Sequence, residues 1–144
     1  MAKIMPTRAS AAAAILLAFS VTAASAADKG YPLETLLSAQ QTVLGERLSY
    51  PNGDARVTAA IVTLAPGAST IVHEHGVPLF AYMLDGELTV DYGARGKRVY
   101  KKGDAFMEAM TVPHAGTNSG DVPVRILAVY IGADGAKNTI ATGN

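Results

Sequence analysis

The 144-residue chain has no cysteine and no tryptophan, and only three phenylalanines and three histidines. Without cysteine there is no disulfide, no thiolate metal site, no iron–sulfur cluster and no cysteine nucleophile. Lysine plus arginine and aspartate plus glutamate each number 12, so no excess of positive charge is available to neutralise a phosphate backbone, and nucleic acid is not an expected partner. The sequence holds no glycine-rich phosphate loop, no Gly-x-Ser-x-Gly elbow and no dinucleotide fingerprint. Its apolar run Ala11 to Thr22 (AAAAILLAFSVT) falls well short of the roughly 20 residues that a bilayer span needs, so no membrane span is expected. What is present is a 49% hydrophobic composition with 14 glycines, enough for one packed domain with many turns.

Lys3 and Arg8, the short apolar run and then Ala24-Ser25-Ala26 read as a cleaved signal peptide over residues 1–27. The mature protein is then expected to start near Asp28, in periplasmic or extracellular solution. Loss of Lys3 and Arg8 leaves ten basic against 12 acidic residues. An exported chain without disulfides depends on its core or its assembly for stability. Residues 28–56 read as an N-terminal arm or strand, within which Leu33 to Gln41 has a helical pattern, and residues 57–144 as the main domain.

That domain is a series of short β-branched or aromatic stretches punctuated by Gly, Pro, Asn and Asp. Strands are expected at Val57 to Leu64, Thr70 to His75, Phe80 to Leu84, Glu87 to Tyr92, Arg98 to Lys101, Ala105 to Met110, His114 to Asn118 and Val124 to Ile131. Asp85-Gly86 is expected to close a tight hairpin, because Asp-Gly tolerates positive φ. Strands at roughly ten-residue spacing without alternating helices define an all-β antiparallel sandwich or barrel. The basic run Arg95 to Lys102 is expected to be a solvated hairpin, and Met83, Met107 and Met110 to be core or pocket lining.

His73 and His75 lie two apart on an expected strand, so both rings project from one face, about 7 Å apart before the side chains converge. That spacing suits either a metal-binding pair or two histidines on a solvated strand.

The surrounding residues carry a resemblance. Gly67-x5-His73-x-His75 followed by Gly86, and Gly103-x5 followed by His114-x3-Asn118, resemble the two motifs of the cupin superfamily, in the manner of small exported single-domain cupins. The resemblance spans Val57 to Gly132. It implies a small antiparallel cupin barrel (a double-stranded β-helix, or jelly roll) with a divalent transition metal held by His73, His75 and His114. Asn118 is implied to support a turn. It further implies a small-molecule ligand or substrate, and a homodimer formed by sheet extension, for which Tyr31 to Tyr50 is a candidate arm.

The chain also departs from the family's pattern. Leu79 stands where the first motif usually has a glutamate ligand, and Ala109 and Thr111 stand where the second usually has proline and glycine. Glu108 is the candidate replacement ligand or acid/base. By alternation it shares a face with Phe106 and Met110, where only a compensating charge such as a cation would favour a carboxylate. Three imidazoles and one carboxylate suit Mn, Fe, Co, Ni, Cu or Zn. Glu74 is expected to face the other way. Arg125, flanked by large apolar residues, is a candidate to grip a substrate carboxylate. These residues point to a metal-dependent oxygenase, isomerase or decarboxylase type of enzyme. Two alternatives are a barrel that binds a metal or small ligand without turnover, and a metal-free structural barrel.

Overall fold

The computed structural model describes residues 31–143, so the expected signal peptide, residues 1–27, lies outside the described residues. The compact unit described below begins at Glu34. Nine strands follow in chain order: β1 (Ala55–Leu64), β2 (His73–Glu74), β3 (Leu79–Asp85), β4 (Glu87–Asp91), β5 (Lys97–Lys101), β6 (Ala105–Met107), β7 (Ala115–Asn118), β8 (Val124–Ala133) and β9 (Ile140–Ala141). Among the described residues, the only helical element is a single 3-10 turn at Gly93–Arg95. No helix among them is long and apolar enough to cross a membrane.

The strands form a four-stranded sheet in the order β1-β8-β3-β6, a three-stranded sheet in the order β5-β4-β7 and the small pair β2-β9. Every pairing is antiparallel, and the longest runs in unbroken register from Ala55 opposite Ala133 to Leu64 opposite Val124. The core lies between the two larger sheets. Ala81, Met83, Phe106, Val124 and Ile126 from one meet Leu88, Val90, Tyr92 and Tyr100 from the other. Alternation decides which residues these are: in β4, Leu88 and Val90 turn inward while Glu87, Thr89 and Asp91 stay partly exposed.

Three local expectations are corrected. Asp85-Gly86 does not close a hairpin, because β3 pairs with β6 and β8 while β4 pairs with β5 and β7. Gly86 (φ 78°) instead turns a corner between sheets, where the Val124 backbone passes so closely that a Cβ would sit 2.8 Å from its Cα. Leu33 to Gln41 is not helical. A segment that short gains little from helix formation alone, and here the chain after it is tied to the sheet by Val43 N–H donating to Met107 C=O at 2.8 Å. The strands expected at 70–75 and 105–110 shrink to β2 and β6, and the irregular backbone left at 108–113 becomes part of the site. The basic hairpin is solvated as expected, with exposed pairs Lys97–Asp91, Lys101–Glu87 and Lys102–Asp85.

Candidate metal centre

His73 and His114 face each other across an isolated antiparallel bridge, their backbones exchanging N–H···O=C bonds of 2.9 and 3.0 Å. His75 is held one step on, its N–H donating to Met110 C=O at 2.9 Å. These ties gather residues 41 positions apart in sequence into one group, with ring centroids 4.6–5.2 Å apart. One ring nitrogen of each histidine lies within 4.8 Å of the others.

The hydrogen bonds of the three rings determine which nitrogen is free. His73 Nδ1 lies 2.8 Å from Ile71 C=O, His75 Nδ1 3.0 Å from Asn138 C=O and His114 Nδ1 2.8 Å from Val112 C=O. A carbonyl oxygen only accepts, so each Nδ1 carries the proton and each neutral ring presents Nε2 as a bare lone pair. His114 Nε2 is buried without a hydrogen-bond partner. Burial pushes all three imidazoles below the usual histidine range, His75 to about 4, which keeps them neutral near pH 7. Three neutral nitrogen donors, each oriented by a backbone carbonyl and one otherwise orphaned, fit a transition-metal ion.

Glu108 sits just past β6, where its N–H donates to Leu79 C=O at 2.9 Å. It is therefore the cross-strand neighbour of Leu79, and its carboxylate approaches the histidines from the segment that follows β6. The residue is only 5% exposed. Its Oε1 accepts from Tyr92 O–H and from Ala109 N–H, both at 2.7 Å, and Tyr92 in turn lies 3.1 Å from Tyr100 Oη. Proline at position 109 would have no N–H to give, so alanine there is chemically matched to Glu108. Oε2 lies 4.0 Å from His114 Nε2, too far for a hydrogen bond. Burial raises the Glu108 carboxyl, against the opposing effects of the Tyr92 and Ala109 hydrogen bonds. A nearby cation would offset that burial effect and favour the carboxylate. Glu108→Gln keeps the shape and removes the charge. It is expected to lower metal affinity about tenfold or more, the order seen for groups that tune a metal site. Calorimetric titration checks this, and unchanged affinity would remove Glu108 from the centre.

The centre opens on a cavity of about 80 Å³. Apart from the histidines, Glu108, Thr70 and Tyr130, its walls are apolar, and no lysine or arginine is among them. Arg125 is accordingly corrected: Val124, Ile126 and Ala128 turn inward on β8, which leaves Arg125 exposed on the outer face and away from the cavity. Glu74 is half-buried and outside the histidine group. Asn118, 1% exposed, donates to Leu64 and Val122 carbonyls and accepts from Gly120 N–H, which is turn support. Met83 is core and does not line the cavity.

Sequence reasoning missed three contributors. Tyr92 ends the strand expected at Glu87 to Tyr92, and its place on the same alternating face as Leu88 and Val90 is a usable signal. Tyr130 lines the cavity with its ring 5.8 Å from that of His75. The Asn138 carbonyl that aims His75 had no signal at all, because backbone carbonyls carry no side-chain identity.

Residues 60–130 match the cupin domain family model. Oxalate decarboxylase from Lactobacillus farciminis, solved as a formate complex, superimposes with a TM-score of 0.52 at 23% identity over 59% of this chain and 26% of that one. The DMSP lyase DddQ from Ruegeria pomeroyi DSS-3 superimposes with a TM-score of 0.51 at 24% identity over 60% of this chain and 43% of that one. The protein therefore spans about a quarter of the first enzyme and under half of the second, and at these identities the likeness is one of fold. No curated protein matches it at a significant level. With the domain match, the shared fold and the antiparallel sheets together, this chain is a cupin-family protein.

Proposed function

We propose that this protein is an exported cupin that carries one divalent transition metal (Mn, Fe, Ni, Cu or Zn) on His73, His75 and His114, with Glu108 beside it, and acts on a small molecule held in the cavity. The observation that carries this reading is the common orientation of the histidines: every Nδ1 is committed to a carbonyl, and the buried His114 Nε2 has no partner. A bound ion with an exchangeable position would supply Lewis acidity or, if redox-active, access to oxygen, the chemistry of oxygenases, isomerases and decarboxylases. The protein's own part is to orient three imidazoles, to hold Glu108 Oε1 with Tyr92 and Ala109 so that Oε2 faces the centre, and to exclude water with apolar walls. Lacking a cationic side chain, the cavity suits a neutral or monoanionic molecule of a few heavy atoms. A dianion would have the metal alone to offset its charge.

A second reading, a non-catalytic metal or small-ligand barrel, is favoured by one observation: apart from the histidines, only Glu108 and Tyr130 in the cavity wall carry an acid/base side chain. Residues 1–27 support export. The arm lies against β6, leaving the ten-residue β1 as the open edge of the larger sheet, with Val57 and Ile61 exposed. That edge supports a homodimer, which light scattering would test.

The test of function starts with elemental analysis of the untagged protein, followed by thermal shift and product analysis with small keto acids, phenols and sugars. Stoichiometric metal with turnover is the expected result. Saturable stabilisation without product selects the second reading. A protein that neither retains nor responds to any of these metals overturns both metal readings.

A further inference from the structure

The backbone from Glu108 to Pro113 belongs to no strand, yet it supplies much of the centre. It carries the Glu108 carboxylate, the Met110 carbonyl that holds His75 and the Val112 carbonyl that aims His114. Irregular backbone keeps one geometry only where its polar groups are satisfied from outside the segment. Here the partner comes from the N-terminal arm. Glu46 Oε2 accepts from Met110 N–H at 2.7 Å and from Thr42 O–H at 3.0 Å, and Oε1 accepts from Thr111 N–H at 2.7 Å and Thr111 O–H at 2.6 Å.

The clamp is itself built in. Buried Thr42 receives the N–H groups of Glu46 and Leu44 on its hydroxyl, and Thr42 N–H donates to Glu46 C=O at 2.9 Å, closing a tight turn that points the carboxylate at the segment. Val43 N–H anchors the same turn to Met107. Four donors on one carboxylate favour its ionised form, and they hold Glu46 below the usual range despite the opposing effect of burial. Thr111, one of the departures from the family pattern, contributes two of the four donors.

We propose that Glu46 is a positioning residue for the centre: its carboxylate clamps Met110 and Thr111, and through them fixes the carbonyls that hold His75 and aim His114. The arm is then a working part of the site rather than an appendage.

The test uses the full chain with Glu46→Gln, Thr111→Val and, as a control on β4, Glu87→Gln. In the metal-free protein, amide exchange at Met110 and Thr111 and the ring 15N signals of His114 are read. Titration with Co(II) then gives affinity. Glu46→Gln is expected to speed exchange at both amides, to turn His114 from a single Nδ1–H tautomer into a mixture, and to weaken Co(II) binding about tenfold or more. Thr111→Val, which keeps both backbone bonds, is expected to move the same readouts less, and Glu87→Gln not at all. Wild-type tautomer and Co(II) affinity in Glu46→Gln would overturn the proposal even if its Tm fell. Should Glu46→Gln fail to fold, wild-type values in Thr111→Val overturn it instead. The Co(II) arm rests on the metal reading of the centre, but the exchange and tautomer arms do not. A wild type that ignores Co(II) therefore removes that reading and leaves the clamp to be decided by NMR.

Discussion

Replacing His73 and His114 together by alanine is expected to abolish stoichiometric metal, while the unaltered chain retains one equivalent. The two residues sit opposite each other, and their backbones pair through main-chain groups that alanine keeps. The fold therefore has no reason to open when the rings are lost. Removing two of three nitrogen donors leaves His75 and Glu108, too few to compete with water for a divalent ion. Affinity should fall by far more than the roughly 10- to 100-fold typical of groups that only support a metal ligand. The same variant also removes the orphaned His114 Nε2 and the packing of two rings against their neighbours, so its metal-free stability should change by only about 1–2 kcal/mol, with losses and gains of opposite sign. Elemental analysis and chemical denaturation, run side by side, check both halves. A double variant that keeps its metal places the ion elsewhere.

The second large effect concerns pH. In the metal-free protein, all three histidines titrate below the usual value of about 6.5, because burial penalises the imidazolium. The unfolded chain therefore takes up protons first as the pH falls through 6.5, and stability is lost from there down to the folded values. For His75, with a folded value of about 4, the loss amounts to about 2 kcal/mol by pH 5 and about 3 kcal/mol by pH 4. Glu108 works in the opposite sense. Its raised carboxyl contributes stability that is complete below the ordinary carboxylate range and is lost as the pH rises through its folded value. Denaturant midpoints at pH 7.5 and pH 5 should thus fall on acidification in the wild type, and fall more steeply in Glu108→Gln, where the opposing contribution is gone. A flat profile between these pH values in Glu108→Gln, where nothing opposes the histidines, would mean that the imidazoles are not sheltered. Metal should raise the midpoint at pH 7.5 and do so less at pH 5, because protons compete for the same Nε2 lone pairs.

Much of the centre was legible in the chain. An i, i+2 histidine pair on extended backbone puts both rings on one face whatever the rest of the fold does, and it was the resemblance of the glycine-anchored motifs to the cupin pattern that implied His114 with them. Glu108 was legible as a carboxylate on a face otherwise made of Phe106 and Met110. Arg125 was not, since alternation divides β8 into two faces without saying which is interior. The Asp85-Gly86 turn misled for a related reason: its chemistry specifies a sharp reversal of direction, whereas the choice of pairing partners lies with β6 and β8, which are distant in sequence. Tyr92, Glu46 and the Asn138 carbonyl reach the site from 16, 64–65 and 63 positions away from the groups they contact. Their roles depend on contacts that no local pattern encodes.

The sequence by itself therefore determined an all-β chain, the rhythm of its strands and turns, and the three histidines with their candidate carboxylate. The strand rhythm, the His73/His75 pair and the placing of Glu108 follow from covalent geometry and short-range periodicity, which act over a few residues, while His114 joined them through the family resemblance. The tertiary structure alone decided which face of β8 is interior, that Glu108 stands opposite Leu79, that each imidazole presents Nε2, and that a carboxylate from the arm holds the irregular segment between β6 and β7. Those features depend on where buried backbone donors and acceptors find partners, and that is settled only when distant segments pack together.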